Sequence, residues 1–171
     1  MARVLSFSKV DDYFKDLANK HVDIKDYCST SPQELADKIQ SVDGIMSPIL
    51  IFFDYYCKLS GKEQRTFNNR SLAFSIMYSG IKPDDFSGQR MAKDNAEEIG
   101  LEVLSRIKVQ SNMPDIGWLY NNFEKDSVTY DELIASGVDS FYGMEFHFDL
   151  KTLEPLVVTP EKWSDGNIFC V

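Results

Sequence analysis

Two adjacent runs of strand-forming residues constrain the fold of this chain more than any other feature. Residues 47–59 are rich in β-branched and aromatic side chains, and residues 71–79 alternate between large apolar and mostly small side chains. The connection between the two runs begins with a polar turn at residues 60–63. Because a short connection makes sequential strands pair antiparallel, this region predicts a β-hairpin.

Three segments show the periodicity of amphipathic helices. The first is expected to begin at Ser8 as its N-cap, and the second at Ser31, with Pro32 and Glu34 completing a capping box. The third and longest spans residues 87–110, and its interior Gly100 predicts a close approach to strands beneath it. The expected buried stripes are Val10, Phe14, Leu17 and Ala18; Leu35, Ile39 and Val42; and Ala92, Ala96, Ile99, Val103 and Ile107.

The order of these elements predicts an α+β fold. Two further strands are expected, a short one at residues 128–130 and an alternating one at residues 143–151. We therefore expect an antiparallel sheet of about four strands, with a long helix packed across it and two N-terminal helices.

We interpret the 171 residues as a single domain, since neither a repeat nor a linker divides them. Residues 1–47 form its helical start, residues 48–151 its sheet and crossing helix, and residues 152–171 a C-terminal extension. Within this extension, Trp163 is expected to pack back on the body.

Charge is distributed unevenly along the chain. The 27 acidic and 18 basic residues give a net charge of -9, which disfavours a protein that grips nucleic-acid phosphates over a broad surface. Most of the excess lies in residues 111–171, which hold 11 acidic and 3 basic residues.

The hairpin connection has the opposite charge. Lys58, Lys62, Arg65 and Arg70 face a single Glu63, so this stretch has a net charge of +3. One hypothesis makes these cations a subunit interface, with the hairpin of one copy docking on the acidic surface of the next. The alternative is that they only keep an edge hairpin soluble and unpaired.

The pattern of ionisable residues gives little support for catalysis or a metal site. Glu145, His147 and Asp149 share one strand face, but their spacing along a strand is too wide for one ion, so we expect a solvated outer face. His21 is expected to interact with the dipole at a helix C-terminus. The common hydrolase, nucleotide-binding and zinc-protease motifs are absent from the sequence. If an enzymatic site lies over the sheet, it is expected to involve Asp54, Tyr55, Tyr56 and His147.

The three cysteines do not form the pattern of a disulfide scaffold. Their number is odd and no C-x-x-C pair occurs, so we expect reduced thiols. Cys57 is predicted to be buried and structural, and Cys28 to be the more exposed thiol; the third is Cys170. The first nine residues lack the apolar stretch of a signal peptide, which predicts a soluble chain made in a cytoplasm.

The order of elements and several local patterns resemble the terminator, or completion, proteins of long-tailed phages and of related contractile injection particles. The resemblance covers most of residues 9–151. It includes Asp12-Tyr13-Phe14-Lys15-Asp16-Leu17-Ala18 in the first helix, Ser47-Pro48-Ile49-Leu50 at the first strand, the polar-tipped hairpin, the helix from Asp94 to Ile107, and the strand from Gly143 to Leu150.

This resemblance implies a non-enzymatic virion protein, assembled in the bacterial host cytoplasm without a cofactor. Such proteins form a ring, commonly a hexamer, that caps the tail tube and joins it to the head or connector. The implied partners are further copies of the chain, the tail tube and neck proteins, with neither sequence-specific nucleic-acid binding nor a membrane. A second hypothesis remains open: an acidic monomeric binding or adaptor module that masks a basic protein partner.

Overall fold

The structure, a computed structural model, describes residues 5–29, 37–38, 45–62, 65–135 and 141–165. Within these residues it contains two long helices, five strands and one short 3₁₀ turn. The elements in chain order are α1 (Phe7–Lys20), β1 (Asp26–Cys28), β2 (Ile49–Lys62), β3 (Arg65–Tyr78), α2 (Phe86–Ser111), β4 (Phe123–Ala135), β5 (Phe141–Leu153) and the turn Pro160–Lys162.

The α+β class is confirmed, and the sheet differs from the prediction in two details. The sheet has five strands in the order β1-β2-β3-β5-β4, not about four, and β1 pairs parallel to β2. The other three pairings are antiparallel. Sequence periodicity missed β1 because a three-residue strand is too short to show alternation.

The first helix has the expected buried stripe but begins earlier than predicted. Ser6, not Ser8, is the N-cap, and its hydroxyl accepts a hydrogen bond from the Lys9 amide. Val10, Phe14 and Leu17 are buried as expected. Of the predicted second helix, only residues 37 and 38 are described; both are helical, and Lys38 Nζ lies 2.5 Å from Asp26 Oδ1. Its capping box and apolar stripe lie outside the described residues.

The hairpin is longer than predicted and contains a bulge. Strands β2 and β3 have 14 residues each, and Lys62 pairs with Arg65. Their register shifts between Phe52 and Asp54, so one extra residue of β2 is accommodated. Residues 50 and 52 before the bulge therefore share a face with residues 55, 57 and 59 after it.

Both long helices pack on the same face of the sheet and form the main core. The expected stripe of α2 is buried there, together with Phe14 of α1 and apolar residues of β2, β3 and β5. Phe146 stacks on Phe74, with ring centroids 5.0 Å apart. Gly100 lies directly above the Phe146 ring, where any Cβ would overlap the ring atoms. The predicted close approach of α2 to the sheet is confirmed.

Strand β4 was the least accurately predicted element. Only residues 128–130 were expected to be extended, whereas the strand spans Phe123–Ala135 at one edge of the sheet. Its pairing with β5 is irregular between Glu124 and Thr129. Because this irregularity interrupts the alternation and the segment contains adjacent charged residues, the period-2 signal is weak.

Candidate functional site

The side of the sheet opposite α1 and α2, here called the far face, is formed by alternate residues of the strands. The register places these residues in rows that run across β2, β3, β5 and, in part, β4. From the hairpin end the rows are Lys62–Arg65, Ser60–Phe67–Leu153, Lys58–Asn69–Lys151, Tyr56–Ser71–Asp149–Glu124, Asp54–Ala73–His147–Thr129, Ile51–Ser75–Glu145–Asp131 and Ile49–Met77–Gly143–Leu133. The charge of the rows therefore changes along the face, from basic through acidic to apolar.

The hairpin end of the far face carries four cations, here called the basic tip: Lys58, Lys62, Arg65 and Lys151. All four are exposed. Two of them lie over the Phe67 ring, with Lys151 Nζ 5.2 Å and the Arg65 guanidinium carbon 5.5 Å from its centroid. None of the four cations forms an ion pair with another described residue.

Arg70, the remaining member of the sequence-predicted set, does not lie at this tip. Its side chain is on the helix side of β3 and is 2% exposed. It donates hydrogen bonds to Tyr55 Oη at 3.1 Å, to Thr152 Oγ1, and to Glu154 Oε2 at 2.9 Å. The guanidinium is therefore neutralised inside the protein and joins the hairpin to the end of β5. Burial raises the pKa of the Tyr55 phenol, and the adjacent Arg70 lowers it in part.

The middle of the far face carries five carboxylates, here called the carboxylate strip: Asp54, Glu124, Asp131, Glu145 and Asp149. Glu145 pairs with His147, and Asp149 Oδ1 accepts a hydrogen bond from Ser71 Oγ at 2.6 Å. In the described part of the chain, none of the five pairs with a lysine or arginine. The strip therefore retains its negative charge.

At the centre of the far face, β3 contributes only small side chains. These are Ser71, Ala73 and Ser75, of which Ala73 and Ser75 are buried. Larger side chains from the neighbouring strands lie over them. Phe53 on β2 contacts His147 on β5 edge to face, with centroids 6.3 Å apart, so the two rings meet above β3. The carboxylates therefore lie around a covered centre of the far face.

The other residues considered for chemistry do not converge on one site. Tyr55 faces the helix side with Arg70, whereas Asp54, Tyr56 and His147 belong to the far face. Among the described residues, no group of three His, Cys, Asp or Glu side chains could hold a metal ion. His21 caps the C-terminus of α1, and its Nε2 lies 2.9 Å from Glu102 Oε2.

A cavity of about 350 Å³ lies between α2, the ends of β2 and β3, and the loop after α1. Burial and the charge of Asp23 raise the pKa of Tyr78 in its wall, and Asn95 lowers it in part. The rest of the lining is Lys25, Pro48, Glu98, Ile99 and Glu102. The four residues proposed from sequence for an enzymatic site are not among its lining residues.

The predicted environments of the first two cysteines were wrong. Cys28 is buried on the far face of β1, in a small apolar cluster with Ile49, Met77 and Phe141, whereas Cys57 is exposed near the hairpin end. Cys28 and Cys57 do not form a disulfide with each other, and Cys170 lies outside the described residues. The bulge in β2 and the projection of the hairpin beyond the helices expose Cys57, and neither is visible in an apolar run of sequence.

Trp163 follows the 3₁₀ turn in the C-terminal extension and is 57% exposed, so at most part of its ring packs on the body. Leu156 and Val157 of the same extension are also exposed. Among the described helices, none is both long and apolar enough to span a membrane.

Sequence reasoning identified part of the basic tip and missed Lys151. Only the pairing of β3 with β5 brings Lys151 beside Phe67, and this long-range register has no local signal. The exclusion of Arg70 did have a signal, since counting back by two from Leu72 places Arg70 on the core side of β3. Neither a family model nor a curated protein matches this sequence.

Proposed function

We propose that this protein is a non-enzymatic structural protein of a phage tail or tail-like particle, forming a ring that terminates the tail tube and joins it to the head or connector. The observation that carries the proposal is the separation of charge on the far face. Four cations lie at one end of this face, none of them in an ion pair with another described residue, and the carboxylate strip lies in its middle. A surface with both charges can bind copies of itself head to tail, and such contacts form a ring when the rotation closes.

Two further features support an assembly role. The hairpin end projects beyond the part of the sheet that the helices cover, since residues 56–62 are all exposed. The C-terminal extension exposes Leu156 at 66% and Val157 at 70% of their surfaces, next to Leu153 at 50%. Apolar side chains exposed near a charged projection are typical of protein contact surfaces. The assignment to a tail terminator rests on the resemblance in element order, and the protein would act in the particle after assembly in the host cytoplasm.

Charge reversal at the tip tests the proposal. Replacing Lys62, Arg65 and Lys151 by Glu should abolish self-association and tube capping without unfolding the chain, because the three side chains lie outside the core. Arg70 is not part of this variant, because replacing it by Glu would bury two carboxylates, the new one and that of Glu154, beside each other. A matched control replaces Lys82, Arg90 and Lys108, exposed cations away from the far face, by Glu.

Light scattering over a range of concentration and salt, followed by electron microscopy with tail tubes, gives the result. We expect the wild type and the control to form a ring of defined mass, alone or on tubes, and the tip variant to remain monomeric. A wild-type chain that stays monomeric both alone and with tail tubes overturns the proposal.

The carboxylate strip also favours a second candidate, an acidic monomeric module that masks a basic protein partner. This candidate predicts a strict monomer that forms a one-to-one complex with such a partner. In that complex, reversal of the strip would abolish binding, whereas reversal of the basic tip would not.

A further inference from the structure

We infer that the carboxylate strip of one copy is the docking surface for the basic tip of a second copy. This inference rests on the proposed function and assigns both sides of the subunit contact. The tip as donor consists of Lys58, Lys62, Arg65 and Lys151 around Phe67, and the acceptor is the carboxylate strip.

The end of the basic tip, formed by Lys62 and Arg65, cannot neutralise the carboxylate strip of the same copy, although Lys151 lies only two residues from Asp149 on the same face of β5. The tip and the strip lie on the same face of one continuous sheet, and Arg65 is six residues along β3 from Ser71, the row at which the carboxylates begin. At about 3.3 Å per residue this separation is about 20 Å. The Debye length at physiological salt is about 8 Å, so the attraction between Lys62 or Arg65 and the strip of the same copy is largely screened.

A second copy removes this geometric restriction. The tip is the end of a paired strand hairpin, with cations on one face and few bulky groups on the other, where Gly61 and Thr66 pair. On the acceptor side, the rings of Phe53 and His147 meet above β3, so an incoming tip would contact the carboxylates that lie around these rings. Asp54 lies on the β2 side of β3, with Glu145 and Asp149 on the β5 side.

The contact is heterologous, because the donor and acceptor are different parts of the same face. A copy whose tip is bound still offers its own strip to another tip. The contact therefore propagates from copy to copy and ends only when the ring closes.

Complementary charge swaps test this assignment. Variant T replaces Lys62, Arg65 and Lys151 by Glu, and variant S replaces the exposed Asp54, Glu124 and Asp131 by Lys. Each alone should lose association at least tenfold, because T presents an acidic tip to an acidic strip and S a basic tip to a basic strip. Mixed one to one, they should assemble, since every T tip meets an S strip and every S tip meets a T strip.

Light scattering and native mass spectrometry would show restored assembly as alternating T and S copies. A control variant replaces Asp84, Asp94 and Asp115, exposed acids on α2 and its flanking loops, by Lys, and should assemble alone as the wild type does. Circular dichroism and thermal unfolding verify that all three variants fold.

The possible failures are distinguishable. If the wild type assembles and variant S assembles equally well, or if the T and S mixture stays monomeric, the acceptor lies elsewhere and this inference is overturned while the proposed ring stands. If the wild type does not assemble alone or on tail tubes, both the inference and the proposed function are overturned.

Discussion

The two faces of the same sheet differ in chemistry and in what they contribute. The helix side is aromatic and aliphatic, with Phe14, Phe52, Phe74 and Phe146 all completely buried. The far face buries small side chains at its centre, has an apolar cluster near β1, and carries the basic tip and the carboxylate strip. Burial of apolar area is the main source of folding stability, so the helix side should determine the free energy of unfolding. The far face is left to determine what the protein binds.

The largest expected loss of stability comes from creating a cavity under α2. Phe146→Ala should lower the free energy of unfolding by about 3–5 kcal/mol, because the ring is fully buried between Phe74 and Gly100. Chemical denaturation measures it. Tyr56→Ala, an aromatic truncation on the far face at a side chain 60% exposed, is the matched control and should cost about 0.5 kcal/mol or less. Equal losses at the two positions would contradict the division between the faces.

The second test adds atoms on the helix side. Gly100→Ala should destabilise the fold by about 1–3 kcal/mol, although Ala is favoured in helices by about 1 kcal/mol, because its Cβ would overlap the Phe146 ring. Gly117→Ala is the control, since a Cβ there meets nothing within 4 Å. Thermal or urea unfolding of both variants gives the comparison, and a stabilised Gly100→Ala variant would show that α2 does not rest on this ring.

The third test concerns the boundary between the core and the tip. Glu154→Gln should cost about 1–3 kcal/mol, because it removes the charged acceptor of the buried Arg70 guanidinium. Glu161→Gln, in the exposed 3₁₀ turn of the same extension, should have no measurable effect. Urea unfolding measures both, and hydrogen exchange of β3 amides near Arg70 should rise only in the first variant. Unchanged stability and exchange would mean that this network does not fasten the hairpin.

The smallest expected effect is a dependence of stability on alkaline pH. The Tyr13 hydroxyl donates a 2.6 Å hydrogen bond to Gln110 Oε1, and burial raises its pKa well above the ordinary value. In the unfolded chain the phenol ionises near pH 10, so the stability from its neutral form is full below that pH and declines above it. Urea unfolding between about pH 8 and 11 should show this decline.

Tyr13→Phe should cost about 1 kcal/mol at neutral pH and make the alkaline decline less steep. Tyr120→Phe, at an exposed side chain, is the control and should leave the slope as in the wild type. Because burial also raises the pKa of Tyr55 and Tyr78, part of the slope should persist in the Tyr13 variant. A slope identical in all three proteins would exclude Tyr13 as its source.

The parts of the fold that sequence predicted are those held by local periodicity. Helices α1 and α2 and strands β3 and β5 show a clear apolar repeat, and the residues predicted to be buried on the two helices are buried. Strand β1 is a short parallel edge strand that depends on pairing with β2, and β4 is irregular in register. Long-range pairing, not local sequence, determines both elements, which is why β1 was missed and only residues 128–130 of β4 were predicted.

The candidate site could also be predicted only in part. Lys58, Lys62 and Arg65 lie close together in the sequence, so a basic hairpin end could be predicted from local charge. The carboxylate strip takes its members from β2, β4 and β5, and only the register of three strand pairs brings them together. The alternation of side chains along β3 was sufficient to exclude Arg70 from the far face. Its charge alone had suggested that it belonged to the basic tip.

The bulge at residues 52–54 affects the geometry of the proposed ring. Deleting Phe53 would restore a regular strand and keep every later side chain on its present face, so the basic tip and core would retain their composition. What would change is the local bend and twist that a bulge introduces, and hence the angle between the tip and the body. In the proposed ring, this angle sets the rotation from one copy to the next. A single-residue insertion or deletion at this point would thus change the number of copies while leaving the charged residues of both contact surfaces in place.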